Sequence, residues 1–291
     1  MAGSRVIILG AGRMGQGLAL ALGAAGREIR LVSRSAHPVT PPLRCFDGPR
    51  RLALSEAATV LLAVPDAAIV PLASELAGEG LVGAGHVVLH LSGLRDRAAL
   101  APLAATAAGL GSFHPLQTVS DPATAAERFA GAYAGIEGDD RALAAAGELA
   151  RALRMVPVML PSGAKAAYHA GAAFAANYTT ALVAVAERLA RSAGIPADVA
   201  GQLYLPLIRG AAANLEAGPA AALTGPVRRG DAATVAAHLE VLGDDDRLLY
   251  VLLAREALRL AAEAGLEPEA VARVAQVLGS KLSGSDILTD R

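Results

Sequence analysis

Near the N-terminus lies Gly10-Ala11-Gly12-Arg13-Met14-Gly15, between the apolar run 5–9 and the small, apolar stretch 17–25. This order predicts a strand, a tight glycine turn and a helix. Gly10 permits the turn, Gly12 lets a pyrophosphate approach the backbone, and Gly15 lets the helix pack close to the strand. The free N–H groups and positive dipole end of that helix attract phosphate. The stretch therefore predicts dinucleotide binding by Gly10, Ala11, Gly12, Arg13, Met14 and Gly15, with a plain glycine-rich turn as the alternative.

The end of the second predicted strand, 29–32, selects the cofactor. It is followed by Ser33, Arg34 and Ser35 rather than by an acidic residue. An Asp or Glu would accept a hydrogen bond from the ribose 2′-hydroxyl and favour NAD, whereas a cation and hydroxyls suit a 2′-phosphate. The sequence therefore predicts NADP, bound through these three residues. A solvated arginine at a strand end is the alternative.

Two further apolar runs, 59–64 and 87–91, are typical of buried parallel strands. In a doubly wound sheet, ligands bind beyond the carboxyl ends of the strands, so these ends are expected to face the same crevice as the glycine turn. Asp66 is expected to cap the next helix. The cofactor-binding candidates at these strand ends are Val64, Pro65, Ser92 and Gly93.

The stretch 110–118 predicts a short strand that ends in a proline turn and carries His114 at its end. There, His114 can donate a hydrogen bond to a substrate carboxylate or carbonyl, or relay a proton. A histidine that only bonds to loop backbone is the alternative. Strands at 132–136 and 155–159, with a helix at 139–153 between them, complete a first domain, 1–160, of the doubly wound Rossmann type.

Beyond residue 160 the pattern changes to helices only, which predicts an all-α C-terminal domain, 161–291. Its longest helix, 164–193, begins with Lys165 and His169, four residues apart and so on one face. Lys165 can donate a proton to a carbonyl or imine product, and His169 can position the substrate; a solvated lysine and a core histidine are the alternative. The apolar residues expected to form the buried stripe of this helix are Phe174, Tyr178, Leu182, Val185 and Leu189.

A polar loop, 222–231, interrupts the helical domain with two glycines, a proline, two arginines and an aspartate. Arginine and backbone N–H groups in such a loop can bind an anion or a substrate carboxylate. A surface loop in which Asp231 caps the helix 232–242 is the alternative. The substrate-binding candidates here are Thr224, Gly225, Arg229 and Asp231.

The composition narrows the class of protein. The sequence has 291 residues, of which 54% are hydrophobic, a net charge of −1 and a single cysteine, Cys45. The charge indicates neither a nucleic-acid nor a membrane partner, and one cysteine excludes an internal disulfide and a cysteine metal cluster. The apolar N-terminal run is interrupted by polar residues and glycines, which does not suit a signal or transmembrane segment. We therefore expect a cytoplasmic protein without a bound metal.

The layout resembles the 6-phosphogluconate dehydrogenase-like superfamily, which includes β-hydroxyacid dehydrogenases, ketopantoate reductases and pyrroline-5-carboxylate reductases. There a Rossmann domain precedes a helical domain used for catalysis and dimerisation. The stretch 163–169 resembles the superfamily motif in which a catalytic lysine is followed four residues later by asparagine, with His169 in the asparagine position. The resemblance implies a catalytic role for Lys165 and a homodimer formed through the helical domain.

More closely, nearly the whole chain is similar to an uncharacterised bacterial family that joins a Rossmann-like domain to a helical domain of unknown function. The shared stretches are 111–117, Lys165 with Tyr168-His169, Asn177-Tyr178, 222–226 and 229–231. They add Ser112 and Asn177 to the substrate-binding candidates. His114-Pro115 is similar to the His-Pro turn of prephenate dehydrogenases, and the 224–226 turn to a loop at the pyrroline-5-carboxylate reductase dimer interface.

Together these features predict an oxidoreductase that uses NADPH to reduce a small carboxylate substrate. A ketopantoate-like 2-oxo acid is the first expectation, with Lys165 as proton donor assisted by His114 and His169. A pyrroline-5-carboxylate-like imine and a prephenate-like substrate are the next. From a different class, a sensor or scaffold that binds NADP without chemistry remains the alternative.

Overall fold

Seven strands form one sheet in the order β2-β1-β3-β4-β5-β6-β7. In the computed structural model, which describes residues 5–34 and 38–280, every neighbouring pair is parallel except β5 and β6. This confirms the doubly wound fold, since β1 lies between β2 and β3 and the chain reverses direction across the sheet there. The strands are β1 (Val6–Leu9), β2 (Ile29–Val32), β3 (Ala58–Leu62), β4 (His86–His90), β5 (Gly109–Pro115), β6 (Tyr133–Gly138) and β7 (Val156–Met159).

Helices cover both faces of this sheet. Alternate residues of β1 point to opposite faces, so Val6 and Ile8 belong to one apolar core and Ile7 and Leu9 to another. The helices of this part are α1 (Arg13–Ala24), α2 (Arg50–Ala53), α3 (Asp66–Gly78), α4 (Ala125–Phe129), α5 (Asp140–Ala152) and α6 (Lys165–Ala172), with 3₁₀ segments at Arg97–Thr106 and Pro122–Thr124 and a π-helical segment at Ala173–Tyr178.

The edge strand β7 is exposed along its whole length. The N–H of Val156 donates to the carbonyl oxygen of Ala132 in the neighbouring chain segment. Because consecutive residues of a strand direct their N–H groups to opposite sides, position 157 faces away from the sheet. Pro157 occupies this position and has no N–H to offer. This residue therefore protects the edge against pairing with a further strand.

The chain divides into two compact units, Met1–Tyr178 and Thr179–Arg291. The second unit is helical and has its own apolar core around Val235, Leu239, Val251 and Val274. The domain boundary expected between residues 160 and 161 stays a prediction. The helices are α7 (Thr179–Ser192), α8 (Ala197–Leu203), α9 (Leu205–Asn214), α10 (Pro219–Ala222), α11 (Ala232–Val241), α12 (Asp244–Glu263) and α13 (Pro268–Ser280), with a 3₁₀ segment at Leu215–Ala217.

The apolar stripe predicted along 164–193 is not buried within the described chain. Phe174 is 69% exposed and Tyr178 51% exposed, and Leu182 is exposed as well. Val185 and Leu189 are half-buried. The prediction that these residues form a buried stripe was therefore wrong for the described chain. No helix in the described ranges has both the length and the apolar character needed to cross a membrane.

Candidate functional site

The glycine turn between β1 and α1 is closed on one side and open on the other. Gly10 has φ +121°, and a Cβ built on it would lie 2.2 Å from the carbonyl oxygen of Ala63. A Cβ on Gly15 would lie 2.1 Å from the oxygen of Gly10. A Cβ on Gly12, in contrast, would meet nothing within 4 Å. The turn therefore packs tightly where helix meets strand and leaves its backbone accessible where a phosphate would approach.

A cavity of about 260 Å³ extends from this turn to the end of β2. Its apolar walls come from the ends of β1, β2 and β3 and from the first turns of α3. Arg34, Arg50 and Glu75 also line it. The two arginines fit a nucleotide with an additional phosphate. The full lining is Leu9, Gly10, Gly12, Val32, Ser33, Arg34, Arg50, Ala63, Val64, Pro65, Ala68, Pro71, Leu72 and Glu75.

Some of the predicted cofactor residues stand apart from this lining. Ala11 is buried, Met14 is half-buried and Arg13 is exposed at the start of α1, so these residues contribute backbone N–H groups of the helix N-terminus rather than cavity wall. Ser35 lies outside the described residues. Ser92 and Gly93 belong to a second cluster, which is centred on Lys165.

Lys165 is 2% exposed. Its Nζ donates to the carbonyl oxygen of Ser92 at 2.7 Å and to Oγ of Ser112 at 2.8 Å. Burial lowers the pKa of Lys165 to about 8, against the opposing effect of the Glu137, Asp96 and Asp66 carboxylates. The ammonium therefore has a pKa close to neutral pH and is held between the turn that follows β4 and the middle of β5.

The Ser92 turn is held by Asp66 and His90. Oγ of Ser92 donates to Oδ2 of Asp66 at 2.8 Å and accepts from the N–H groups of Leu94 and Arg95. The Ser92 N–H donates to Nδ1 of His90, whose Nε2 then donates to the Asp96 carbonyl. Burial lowers the pKa of His90 to about 4, so this ring is neutral. The Ser92 hydroxyl is therefore committed to the turn.

The predicted capping role of Asp66 was wrong. The helix α3 begins at Asp66 itself, with Pro65 in the capping position, and no side chain caps its N–H groups. The carboxylate instead bonds to Ser92, which follows a neighbouring strand of the sheet. A cap interaction is local in sequence, whereas this contact depends on the pairing of β3 with β4.

His114 lies two residues beyond Ser112 and therefore on the same face of β5. Its Nδ1 is 2.9 Å from the hydroxyl of Tyr168. The phenol packs against β6, since a Cβ built on Gly135 would lie 2.9 Å from its oxygen. Burial, followed by the charges of Lys165 and His169, lowers the pKa of His114 to about 4.

Two imidazoles meet over Gly93. A Cβ on Gly93 would lie 2.5 Å from Nδ1 of His169 and 2.8 Å from Nε2 of His114. The ring centroids of the two histidines are 5.8 Å apart in an edge-on arrangement. Glycine at this position therefore makes room for both rings. The structure thus brings together His114, His169, Gly93 and, through Ser92 and Ser112, Lys165.

A second cavity, of about 550 Å³, opens beside the histidines. Four alanines and one glycine are among its twelve lining residues, and two amide and two hydroxyl side chains are polar members of the lining. Part of the wall comes from the π-helical segment, a feature often found at functional sites. The lining is His114, Leu116, Gln117, Thr118, Tyr168, His169, Gly171, Ala172, Ala173, Ala175, Ala176 and Asn177.

The predicted substrate loop of the second unit lines a cavity of its own, of about 590 Å³. Thr224, Gly225 and Arg229 contribute to its wall together with Arg228. Asp231 does not face this cavity, because its carboxylate accepts from the N–H and the hydroxyl of Thr234. It therefore caps α11, as the alternative interpretation of this residue stated.

Two segments of the chain match known families. Residues 5–89 match the family described as "NADP oxidoreductase coenzyme F420-dependent". Residues 132–257 match a domain of unknown function, DUF2520. The chain therefore has an N-terminal segment similar to an NADP oxidoreductase domain and a later segment similar to DUF2520. The glycine turn and the cavity with Arg34 lie in the NADP oxidoreductase domain, and Lys165, His169 and the 222–231 loop lie in the DUF2520 domain.

Solved structures share this architecture. TM1727 from Thermotoga maritima is 22% identical, with 89% of this chain and 98% of that chain covered and a TM-score of 0.63. BF3122 from Bacteroides fragilis, named as a candidate NADP oxidoreductase, is 25% identical, with 89% and 99% covered and a TM-score of 0.65. Pyrroline carboxylate reductase from Plasmodium falciparum, solved with NADP bound, is 10% identical, with 94% and 99% covered and a TM-score of 0.58. No curated protein sequence matches the chain.

These comparisons confirm the class of protein. The chain is an oxidoreductase of the NADP-dependent type, with a Rossmann-type sheet followed by a helical region. Sequence reasoning gave no role to Arg50 and quoted Tyr168 only as part of a motif. A signal for Tyr168 was present, because it precedes His169 in that motif. Arg50 gave no signal, since the irregular segment before it does not reveal which strand end it reaches.

Proposed function

We propose that the protein uses NADPH to reduce the carbonyl or imine group of a small carboxylic acid, with a 2-oxo acid as the first substrate class. The observation that carries the proposal is the meeting of His114 and His169 over Gly93, with the Lys165 ammonium behind them. This cluster stands at the same sheet edge as the glycine turn, because β1, β3, β4 and β5 are parallel.

The cofactor is proposed to bind with its pyrophosphate on the glycine turn and its 2′-phosphate beside Ser33 and Arg34. The fit rests on the open backbone at Gly12 and on the cationic end of the 260 Å³ cavity. When bound, NADPH supplies a hydride to the electrophilic carbon of the substrate. The residues of the chain then have to bind the substrate, polarise its carbonyl or imine, and supply one proton.

Lys165 is proposed as the proton source. Two of its three ammonium hydrogens are engaged by Ser92 and Ser112, and the hydrogen bonds of the described residues leave the third for a substrate atom. A pKa of about 8 lets the ammonium give up this proton near neutral pH. Protonation from water then restores the ammonium.

His114 is proposed to polarise the group that is reduced. The ring is proposed to accept from the Tyr168 hydroxyl at Nδ1 and to carry its proton on Nε2, which lies beside Gly93 at the meeting point of the two imidazoles. A neutral imidazole N–H is a suitable donor to a carbonyl oxygen that gains negative charge. His169 shares the same space and is proposed to orient the substrate.

The substrate is proposed to occupy the 550 Å³ cavity beside the histidines. Asn177 offers an amide donor for a carboxylate, whereas the Gln117 amide already donates to the Arg128 carbonyl. The alanines of the lining leave room for a small apolar substituent. Ser112 is proposed to position Lys165, since it is fully buried against Nζ. Thr224, Gly225 and Arg229 stay candidates for carboxylate binding.

The exposed stripe of Phe174, Tyr178 and Leu182 supports the proposal of a homodimer.

A matched substrate panel tests this function. We expect NADPH oxidation with small 2-oxo acids and at least about tenfold lower kcat/KM with their methyl esters, because an ester lacks the charge that strengthens hydrogen bonds. A cyclic imino acid in the same panel tests the imine alternative. Tight NADPH binding without turnover of any compound would contradict the proposal and support a non-catalytic sensor.

The cofactor preference is tested by Arg34→Ala. We expect affinity for NADPH to fall about tenfold or more, because a charge-assisted hydrogen bond contributes about 1.5–3 kcal/mol. Affinity for NADH, which lacks the 2′-phosphate, should stay the same. Calorimetric titration of both nucleotides measures the two effects. Equal losses for NADPH and NADH would show that Arg34 does not recognise the 2′-phosphate.

A further inference from the structure

Arg50 lines the nucleotide cavity although it is distant in sequence from the end of β2. It is the first residue of α2, and it lines the same cavity as Ser33 and Arg34. Its side chain is 22% exposed. Two arginines therefore line the cavity, Arg34 just after β2 and Arg50 at the start of α2.

Carboxylates of α3 hold the Arg50 guanidinium. Nη1 lies 3.0 Å from Oε2 of Glu75, and Nη2 lies 3.1 Å from Oε1 of Glu79. The two glutamates are four residues apart on α3 and so stand on one face of that helix. Both carboxylates are about half exposed, so each ion pair is weak and can be exchanged for a stronger anion.

We propose that Arg50 is a second binding residue for the 2′-phosphate of NADP and that the Glu75 carboxylate competes with this phosphate for Arg50. A phosphomonoester carries a charge of about −1.5 to −2 near neutral pH and matches the fork of a guanidinium better than a half-exposed carboxylate does. When the 2′-phosphate binds, Arg50 exchanges the Glu75 carboxylate for phosphate oxygens. Glu79 keeps the guanidinium oriented. The inference rests on NADP as the cofactor and not on the identity of the substrate.

Arg51 provides a matched control. It follows Arg50 in the same short helix, and its Nη2 donates to the carbonyl oxygen of Glu79. It lines a different cavity, together with Gly80 and His86. Arg50→Gln and Arg51→Gln therefore remove the same charge from adjacent positions, and only the first removes it from the nucleotide cavity.

The test is calorimetric titration of the full chain with NADPH and NADH, and with the fragments 2′,5′-ADP and 5′-AMP, which differ only in the 2′-phosphate. We expect Arg50→Gln to lower affinity for NADPH and 2′,5′-ADP about tenfold to a hundredfold. Affinity for NADH and 5′-AMP should change less than about twofold. Glu75→Gln should strengthen NADPH binding about twofold to fivefold, because it removes a competing carboxylate.

Three outcomes would overturn the inference. Equal losses of NADPH affinity in Arg50→Gln and Arg51→Gln would show that the effect comes from the change in net charge alone. Equal losses for NADPH and NADH in Arg50→Gln would assign the side chain to the adenine ring. A loss of NADH affinity in Glu75→Gln would make Glu75 an acceptor for the ribose 2′-hydroxyl. Failure of the wild-type protein to prefer NADPH would instead contradict the cofactor assignment, so the two failures are distinguishable.

Discussion

Replacing Lys165 with methionine should lower kcat for reduction by about a hundredfold or more, because a positioned general acid contributes about 10²–10⁴ in rate. Wild-type kcat should fall as pH rises through about 8, where the ammonium loses its proton. The variant should have a low rate without this inflection. Lys165→Arg tests the assignment further, since arginine keeps the charge and does not release a proton.

The same group makes folding stability depend on pH. In the unfolded chain a lysine keeps its proton up to about pH 10.4, whereas in the folded protein the pKa is about 8. Between these values the unfolded state binds more protons, so the contribution of Lys165 to the free energy of unfolding rises with pH. Denaturant unfolding across this interval should show the rise in the wild type and not in Lys165→Met.

The sequence offers a direct measurement of this pKa. Lys165 and Lys281 are its only lysines, so a protein with labelled lysine side chains gives two sets of Nζ and Cε signals in NMR. Lys281→Met leaves the signal of Lys165 alone and serves as the control for kcat. An ordinary lysine pKa, or unchanged turnover in Lys165→Met, would remove Lys165 from the proposed mechanism.

The sheet could be predicted because its signals are local. Each strand is a short apolar run with a turn after it, and the glycine stretch predicts how β1 joins α1. The parallel order of β1 to β5 places the carboxyl ends of these five strands at one edge, so the sequence predicts that His114 and the Ser92-Gly93 pair face one crevice.

The sequence does not predict which residues of that crevice lie at the nucleotide cavity and which lie at the histidine cluster. Gly93 was expected at the cofactor, and it stands beneath two imidazoles because β4 and β5 are neighbours and the helix with His169 reaches them. Arg50 lines the nucleotide cavity, but the sequence that precedes it has no periodic pattern from which this position could be predicted. The exposure of Phe174 has a similar cause, since helical spacing reveals which residues share a face and not what covers it.

Substitution of the glycines should separate cofactor binding from folding. Gly12→Ala should leave the melting temperature within a few degrees of wild type, because its Cβ would meet nothing within 4 Å. The methyl group would nevertheless occupy the space through which a pyrophosphate approaches the backbone. We expect NADPH affinity to fall about a hundredfold or more, which corresponds to about 2.7 kcal/mol.

Gly15→Ala should have the opposite profile. Its Cβ would lie 2.1 Å from the Gly10 oxygen, so α1 would have to move away from the turn, at a cost of about 2–4 kcal/mol in the free energy of unfolding. Gly23→Ala, near the end of the same helix, is the matched control. Its nearest neighbour would be Cγ1 of Ile29 at 3.9 Å, so alanine there should stabilise the helix by up to about 1 kcal/mol.

Thermal unfolding of the three variants measures their stability, and calorimetric titration measures their affinity for NADPH. The two effects should separate: Gly12→Ala loses the nucleotide and keeps the fold, whereas Gly15→Ala loses stability first. Wild-type NADPH affinity in Gly12→Ala would mean that the pyrophosphate does not lie on this turn. In that case the open space above Gly12 would have no role in binding, and Arg34 and Arg50 would be the residues that mark the position of the cofactor in the crevice.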